Sequence, residues 1–328
     1  LKTAFLPEFL SRKRITIWWR WAVFFFCIFF IIKDLRAKDA AEWQLIAQSL
    51  AQHKWLLVGL LAFLPLNWTL EALKWKVLVR KLERITLPEA LKGVLTGVVF
   101  SFISPQTIGD YTGRFLHLQT ASRLNSAGAL LVGNFAQLWV TLCCGTWGYW
   151  YFLKTYTQNS ALIINGLFWI LLLANLLILF FYFNVSWLYK LVARIVLLQK
   201  FLPYLEIMSQ YRAPELTRVL VYALLRYGIF TGQFVAALAI LEVNLPLGVL
   251  LNGIVIIFLV KSVIPTLSAF GDLGLREFSA LVFFKHFTIA TEKVIAASLL
   301  LWLINILLPA LVGLYFIFKI KIKPSKTR

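Results

Sequence analysis

Two segments of the chain carry the same chemistry in the same order: Pro105, Gly109-Asp110, Gly113 and Arg114, then Pro265, Gly271-Asp272, Gly274 and Arg276. In each, an Asp precedes an Arg by four residues, so on a helix both side chains share one face. A guanidinium beside unpaired N–H groups at a helix start makes a site for an anion the size of phosphate. Pro cannot continue a helix interior and Gly permits the angles of a reversal, so Pro105, Gly109, Gly113, Pro265, Gly271 and Gly274 are expected to break two helical hairpins. Asp110 and Asp272 then stand as N-caps of the returning half-helices. Capping and pairing alone would explain each Asp–Arg pair; two such pairs in corresponding places point to a binding site.

The surroundings make these charges informative. The 328-residue chain is 61% hydrophobic and 14% charged, which excludes an ordinary soluble domain and indicates a polytopic membrane protein. Charge at membrane depth is retained where it faces protein or a water-filled cavity. The net charge of +19 is accounted for by basic cytoplasmic loops and anionic lipid, not by nucleic acid. Six stretches are long and apolar enough to span, about 15–33, 55–73, 126–153, 161–183, 217–241 and 294–318. Apolar stretches at about 93–104 and 111–121, and at about 248–266 and 273–287, flank the two motifs and read as re-entrant hairpins.

With the N-terminus cytoplasmic and both hairpins re-entrant, the basic residues fall mainly inside. These include Arg12 to Arg14, Lys74 to Lys92, Lys190 to Arg212 and the C-terminal residues, so both termini are expected in the cytoplasm. The expected fold is all-α, a single membrane domain with two inverted repeats, 1–153 and 161–318. Segment 184–215, carrying Trp187, Tyr189, Tyr204 and Tyr211, is the interfacial linker.

Other polar residues in the spans take lesser roles. Arg226 lies too deep in its span to snorkel and is a candidate cavity residue, as are Lys261 and Glu277; Glu277 could couple transport to a proton or ion. Glu71 reads as a snorkelling partner of Lys74 near a span end, and Asn134, Gln137 and Gln233 as glue between helices. Cys27, Cys143 and Cys144 have no metal or disulfide spacing, and His53, His117 and His286 form no catalytic pattern, so no catalytic residue, metal or cofactor is expected. No signal peptide and no soluble catalytic domain is recognisable.

The quoted motifs, Ile103-Ser104-Pro105 with Gly109-Asp110 and Gly113-Arg114, and Pro265-Thr266 with Gly271 to Glu277, resemble the lysylphosphatidylglycerol synthase transmembrane-region family of flippase-like membrane proteins. The family usually has Glu where this chain has Asp110, and often consecutive glycines where it has Gly271-Asp272. Its best-known members add a soluble aminoacyl-transferase domain, which is not recognisable in these residues, so synthase activity is not expected to carry over. The resemblance implies movement of a phospholipid or other polar lipid between leaflets of a bacterial inner (plasma) membrane.

On this reading Arg114 and Arg276 bind the head group, with Asp110, Asp272, Glu277, Arg226 and Lys261 lining the site, and the repeats rock to give alternating access. The partners expected are membrane lipids with anionic or lipid-linked head groups, with a homo-oligomer or a lipid- or glycan-modifying enzyme as further partners. The alternatives are a secondary transporter of a small anionic solute, a membrane scaffold, and a lipid-modifying enzyme subunit using Asp110 and Asp272.

Overall fold

A computed structural model describes residues 40–102, 106–119, 123–156, 162–264, 269–287 and 291–318. Their secondary structure is all helix joined by short turns, with no strand among the described residues. A short α1 (Ala40–Gln52) leads into α2 (Lys54–Val79). A hairpin follows, α3 (Leu87–Phe100) and α4 (Gln106–Phe115), then the long α5 (Arg123–Tyr156) and α6 (Leu162–Phe183). The connecting segment holds α7 (Val185–Ala193), a 3₁₀ turn (Val196–Phe201) and α8 (Leu202–Ser209). Next come α9 (Ala213–Ile240), a second helix pair α10 (Leu247–Val263) and α11 (Ala269–Phe284), and α12 (Thr291–Trp302), which runs through a π turn (Leu303–Leu307) into α13 (Leu308–Phe318). The π turn has a local cause: Pro309 brings no N–H to the Asn305 carbonyl one turn earlier.

Five helices are long and apolar enough to cross a membrane: α2, α5, α6, α9 and the α12–α13 unit. They coincide with five of the six expected spans; the expected span at 15–33 lies outside the described residues. The helices of the two pairs are shorter, about 15–25 Å at 1.5 Å per residue against a hydrocarbon core of about 30 Å.

The centre of the fold is an antiparallel pair, α2 and α9. At one end Lys81 Nζ meets Glu215 Oε2 at 3.0 Å, and Tyr211 Oη donates to the Leu78 carbonyl at 2.6 Å. Midway Arg226 meets Asn67 and Glu71, and further along Gln233 Nε2 donates to the Leu60 carbonyl at 3.2 Å. The two helix pairs approach this unit from opposite ends. The α3–α4 pair starts where α2 ends, and Thr86 and Glu89 cap its first turn reciprocally, which holds the Glu89 carboxyl below its ordinary range. The α10–α11 pair starts where α9 ends, and there Lys293 at the head of α12 reaches Glu242 at 3.2 Å. The outer packing is exchanged: α3 lies on α13 at Gly313, and α10 lies on α5 at Gly145 and Gly148.

The structure corrects several expectations. Asp110 is not a cap, because α4 begins at Gln106 and Asp110 sits a full turn inside it; Asp272 likewise lies inside the first turn of α11. Gly109, Gly113, Gly271 and Gly274 are helical positions, and among the described residues no glycine has positive φ. Pro105 and Pro265 lie outside the described residues. Gly113 and Gly109 serve close approach instead: a methyl at Gly113 would run into the Gly97 backbone, and one at Gly109 into Phe100 and Ser101. Gly93 faces Arg114 and Gly97 faces Asp110, so α3 and α4 are antiparallel, pressed backbone to backbone through Gly97, Gly109 and Gly113, with Gly93 at ordinary contact distance. The second pair differs, for Gly274 is open and exposed while Gly253 is met by the rings of Phe283 and Phe284. In the linker, Trp187 and Tyr189 are exposed, but Tyr211 is buried against α2, because its hydroxyl satisfies the end of that helix.

This asymmetry generates a contrast. Gly113→Ala should lose about 1–3 kcal/mol by overpacking, whereas Gly274→Ala should be neutral or gain up to about 1 kcal/mol of helix propensity. Thermal unfolding of both variants in detergent checks this, and equal effects would contradict the packing described.

Candidate functional site

The buried chemistry gathers on one face of α2. Asn67, Trp68, Glu71, Lys74 and Trp75 recur at spacings of three, four and seven, which line one side of a helix. Glu71 is the hub. Its Oε1 accepts from Arg114 Nη2 of α4 at 2.7 Å; its Oε2 accepts from Lys74 Nζ at 2.7 Å and from Arg226 Nη1 of α9 at 2.8 Å. Arg114 also donates from Nε and Nη2 to Asp110 at 2.7 and 2.9 Å, the bidentate geometry expected of the i,i+4 spacing. Arg226 Nε donates to Asn67 Oδ1 at 3.0 Å, and Asn67 Nδ2 donates to Asn305 Oδ1 in the π turn at 3.0 Å. One connected polar chain therefore runs from the first hairpin through α2 and α9 to the C-terminal helix.

Packing fixes each member. Gly93 lets the Arg114 backbone come close, and Gly97 leaves room for the Asp110 carboxylate, which a methyl would approach to 2.6 Å. The Lys74 stem runs under Gly133 of α5. The indoles of Trp75 and Trp68 lie against Arg114 and Arg226, each with the guanidinium carbon 5.3 Å from the ring centroid. Beside the cluster, His117 meets Thr96 Oγ1 at 2.9 Å; burial, helped by the Lys92 charge, pushes its pKa down to about 4, so it stays neutral at pH 7.

Burial divides the cations. Arg114 and Lys74 are sealed in, while the Arg226 side chain keeps 24% of its surface exposed. Three positive charges (Lys74, Arg114, Arg226) face two negative ones (Glu71, Asp110), leaving one positive charge in excess. Three buried donors of the same group lack hydrogen-bond partners: Arg114 Nη1, Trp68 Nε1 and Asn305 Nδ2.

Set against the sequence reading, Asp110, Arg114 and Arg226 come together. Arg114 is far from the start of α4, so the expected anion site of helix N-terminus plus guanidinium does not form there; the guanidinium is taken by two carboxylates instead. Arg276 is fully buried with its guanidinium carbon 5.6 Å from the Phe230 ring centroid, one turn along α9 from Arg226. Lys261 and Glu277 are half-buried on α10 and α11, and the Asp272 side chain lies outside the described residues. Glu71 does not snorkel: it and Lys74 are both buried. Its role was missed because only the ion pair with Lys74 is local in sequence. The heptad-spaced Asn67–Lys74 and Trp68–Trp75 pairs around it were the available signal.

Removing the hub should be costly. Glu71→Ala leaves two buried cations and the partly exposed Arg226 without their shared carboxylate and should lose about 3–5 kcal/mol, against about 1 kcal/mol for the stacking lost in Trp68→Phe. Thermal unfolding in detergent reads both, and a near-neutral Glu71→Ala would remove Glu71 from the centre of the cluster.

No curated protein and no solved structure matches the chain. The family described as the lysylphosphatidylglycerol synthase TM region matches it over residues 17–313. An apolar chain with five helices long enough to span, in a family defined by a membrane region, is an integral membrane protein related to lipid handling. The chain belongs to the lysylphosphatidylglycerol synthase TM-region family.

Proposed function

We propose that this protein is a lipid translocase that moves a phospholipid or related polar lipid between leaflets. The observation that carries the reading is the ionic cluster midway along α9, with one positive charge in excess and Arg226 partly exposed. Its chain neighbours Leu66 on α2 and Leu225 on α9 are exposed apolar side chains, the kind of surface that faces acyl chains. A head group entering there meets Arg226 first while its acyl chains stay in the bilayer. Arg114 and Arg276 lie deeper.

The proposed architecture is an inverted repeat with two re-entrant hairpins. The antiparallel α2–α9 pair, the helix pairs entering from opposite ends and the exchanged contacts of α3 with α13 and α10 with α5 support it. The proposed orientation has both termini in the cytoplasm of a bacterial inner membrane. It is supported by the Lys81–Glu215 and Tyr211–Leu78 contacts, which hold the basic end of α2 beside the basic linker. Rocking of the repeats then exposes the cluster to each leaflet in turn. No chemical step is part of this reading.

Leaflet exchange of head-group-labelled lipids in proteoliposomes tests it. Wild-type protein should exchange lipid, and Arg226→Ala should lower the rate at least tenfold, the scale of one lost charge-assisted hydrogen bond of about 1.5–3 kcal/mol. Uptake of small anions without lipid exchange would establish the solute transporter in its place; neither activity from folded protein would leave the scaffold reading.

A further inference from the structure

We infer that the Glu71 cluster selects its head group by charge: it is set to receive a single negative charge, as on a phosphodiester whose remaining head group is neutral, and Glu71 sets that number. The inference deepens the translocase reading and rests on it for the source of the anion.

The charge count is the first support. Lys74, Arg114 and Arg226 against Glu71 and Asp110 leave +1. On α10 and α11 the formal charges of Lys261, Asp272, Arg276 and Glu277 sum to zero. Residual charge away from water is expensive, so the ligand that restores neutrality is favoured. A phosphodiester carries −1. A phosphomonoester approaches −2 at neutral pH and would over-compensate the site. A zwitterionic head would leave the excess in place, and one carrying an added lysine would increase it.

The orphan donors are the second support. Arg114 is 3% exposed, yet its Nη1 has no partner; Trp68 Nε1 and Asn305 Nδ2 are buried in the same state. All three belong to the Glu71 chain, Trp68 through its stacking on Arg226 and Asn305 through Asn67. A buried donor without an acceptor is destabilising until an acceptor arrives.

The third support is Glu71 itself. Its carboxylate is a monoanion whose two oxygens accept from three cations on two spans and a hairpin. The two non-bridging oxygens of a phosphodiester offer the same charge and the same number of acceptor atoms. A bound diester therefore competes with Glu71 for Arg226, the one cation of the cluster with a quarter of its side chain exposed.

Binding to purified full-length protein in detergent tests this independently of transport. The probes are short-chain phosphatidylglycerol (diester, −1), phosphatidic acid (monoester) and phosphatidylcholine (zwitterion), with water-soluble glycerophosphoglycerol and inorganic phosphate as acyl-free controls. Wild type should bind the diester lipid at least tenfold tighter than the other two lipids. Glu71→Gln raises the cluster to +2 and should move the preference to the monoester. Arg226→Gln lowers it to zero and should erase the diester's advantage over the zwitterion.

If Glu71→Gln does not fold, as its thermal midpoint will show, Arg226→Gln decides alone. Retention of the diester preference in that variant overturns the inference, as does a wild type indifferent to head-group charge. Soluble diester or inorganic phosphate binding as tightly as the lipid assigns the site to a free solute and overturns its lipid source. Charge-selective binding without leaflet exchange sinks the translocase reading alone, while exchange without charge selection sinks the inference alone.

Discussion

One carboxylate holds the interior of this protein together. Glu71 takes hydrogen bonds from Lys74 on its own helix, Arg114 on the hairpin and Arg226 on the antiparallel span, and among the described residues no other joins those three elements directly in the polar chain. In an apolar interior the hydrophobic effect cannot choose among helix registers, because lipid tails solvate Leu as well as protein does. Fixed charges can. A slip of one residue between α2 and α9 would pull Arg226 away from both Glu71 and Asn67, so the ionic cluster sets the register that the apolar faces leave open.

The glycines of α3 and α4 serve the same end at shorter range. Their backbones touch, which brings α4 close enough for Arg114 to reach across to α2. A chain with ordinary side chains at Gly97 and Gly113 would hold α4 away and leave Glu71 with two cations. Burial of Trp75 and stacking of Trp68 then shield the pairs from solvent, so that the electrostatics act at close quarters.

What could be read in the sequence divides along the range of the interactions. Five spans were legible because twenty apolar residues in a row have few other uses, and the Asp110–Arg114 pair because an i,i+4 spacing is local. Membership of the family was legible in the two motifs. The helix starts before Asp110 and Asp272 were misplaced: a Gly-Asp pair reads equally as a break or as a close helix contact, and only the facing Gly97 distinguishes them. The assembly of Asn67, Glu71, Arg226 and Asn305 could not be read locally, since these residues are up to 238 positions apart and meet only when α2, α9 and the π turn pack.

The two helix pairs occupy matching places and yet are built from different materials, one from glycine backbones in contact, the other from aromatic rings over a single glycine with Gly274 left open. Backbone contact admits no substituent, whereas rings can tilt and exchange rotamers to take up a new shape. The first pair therefore has no room for a side chain at Gly97, Gly109 or Gly113, whereas the second can absorb a change by shifting its rings. New side chains are taken up more readily on the α10–α11 side than on the α3–α4 side.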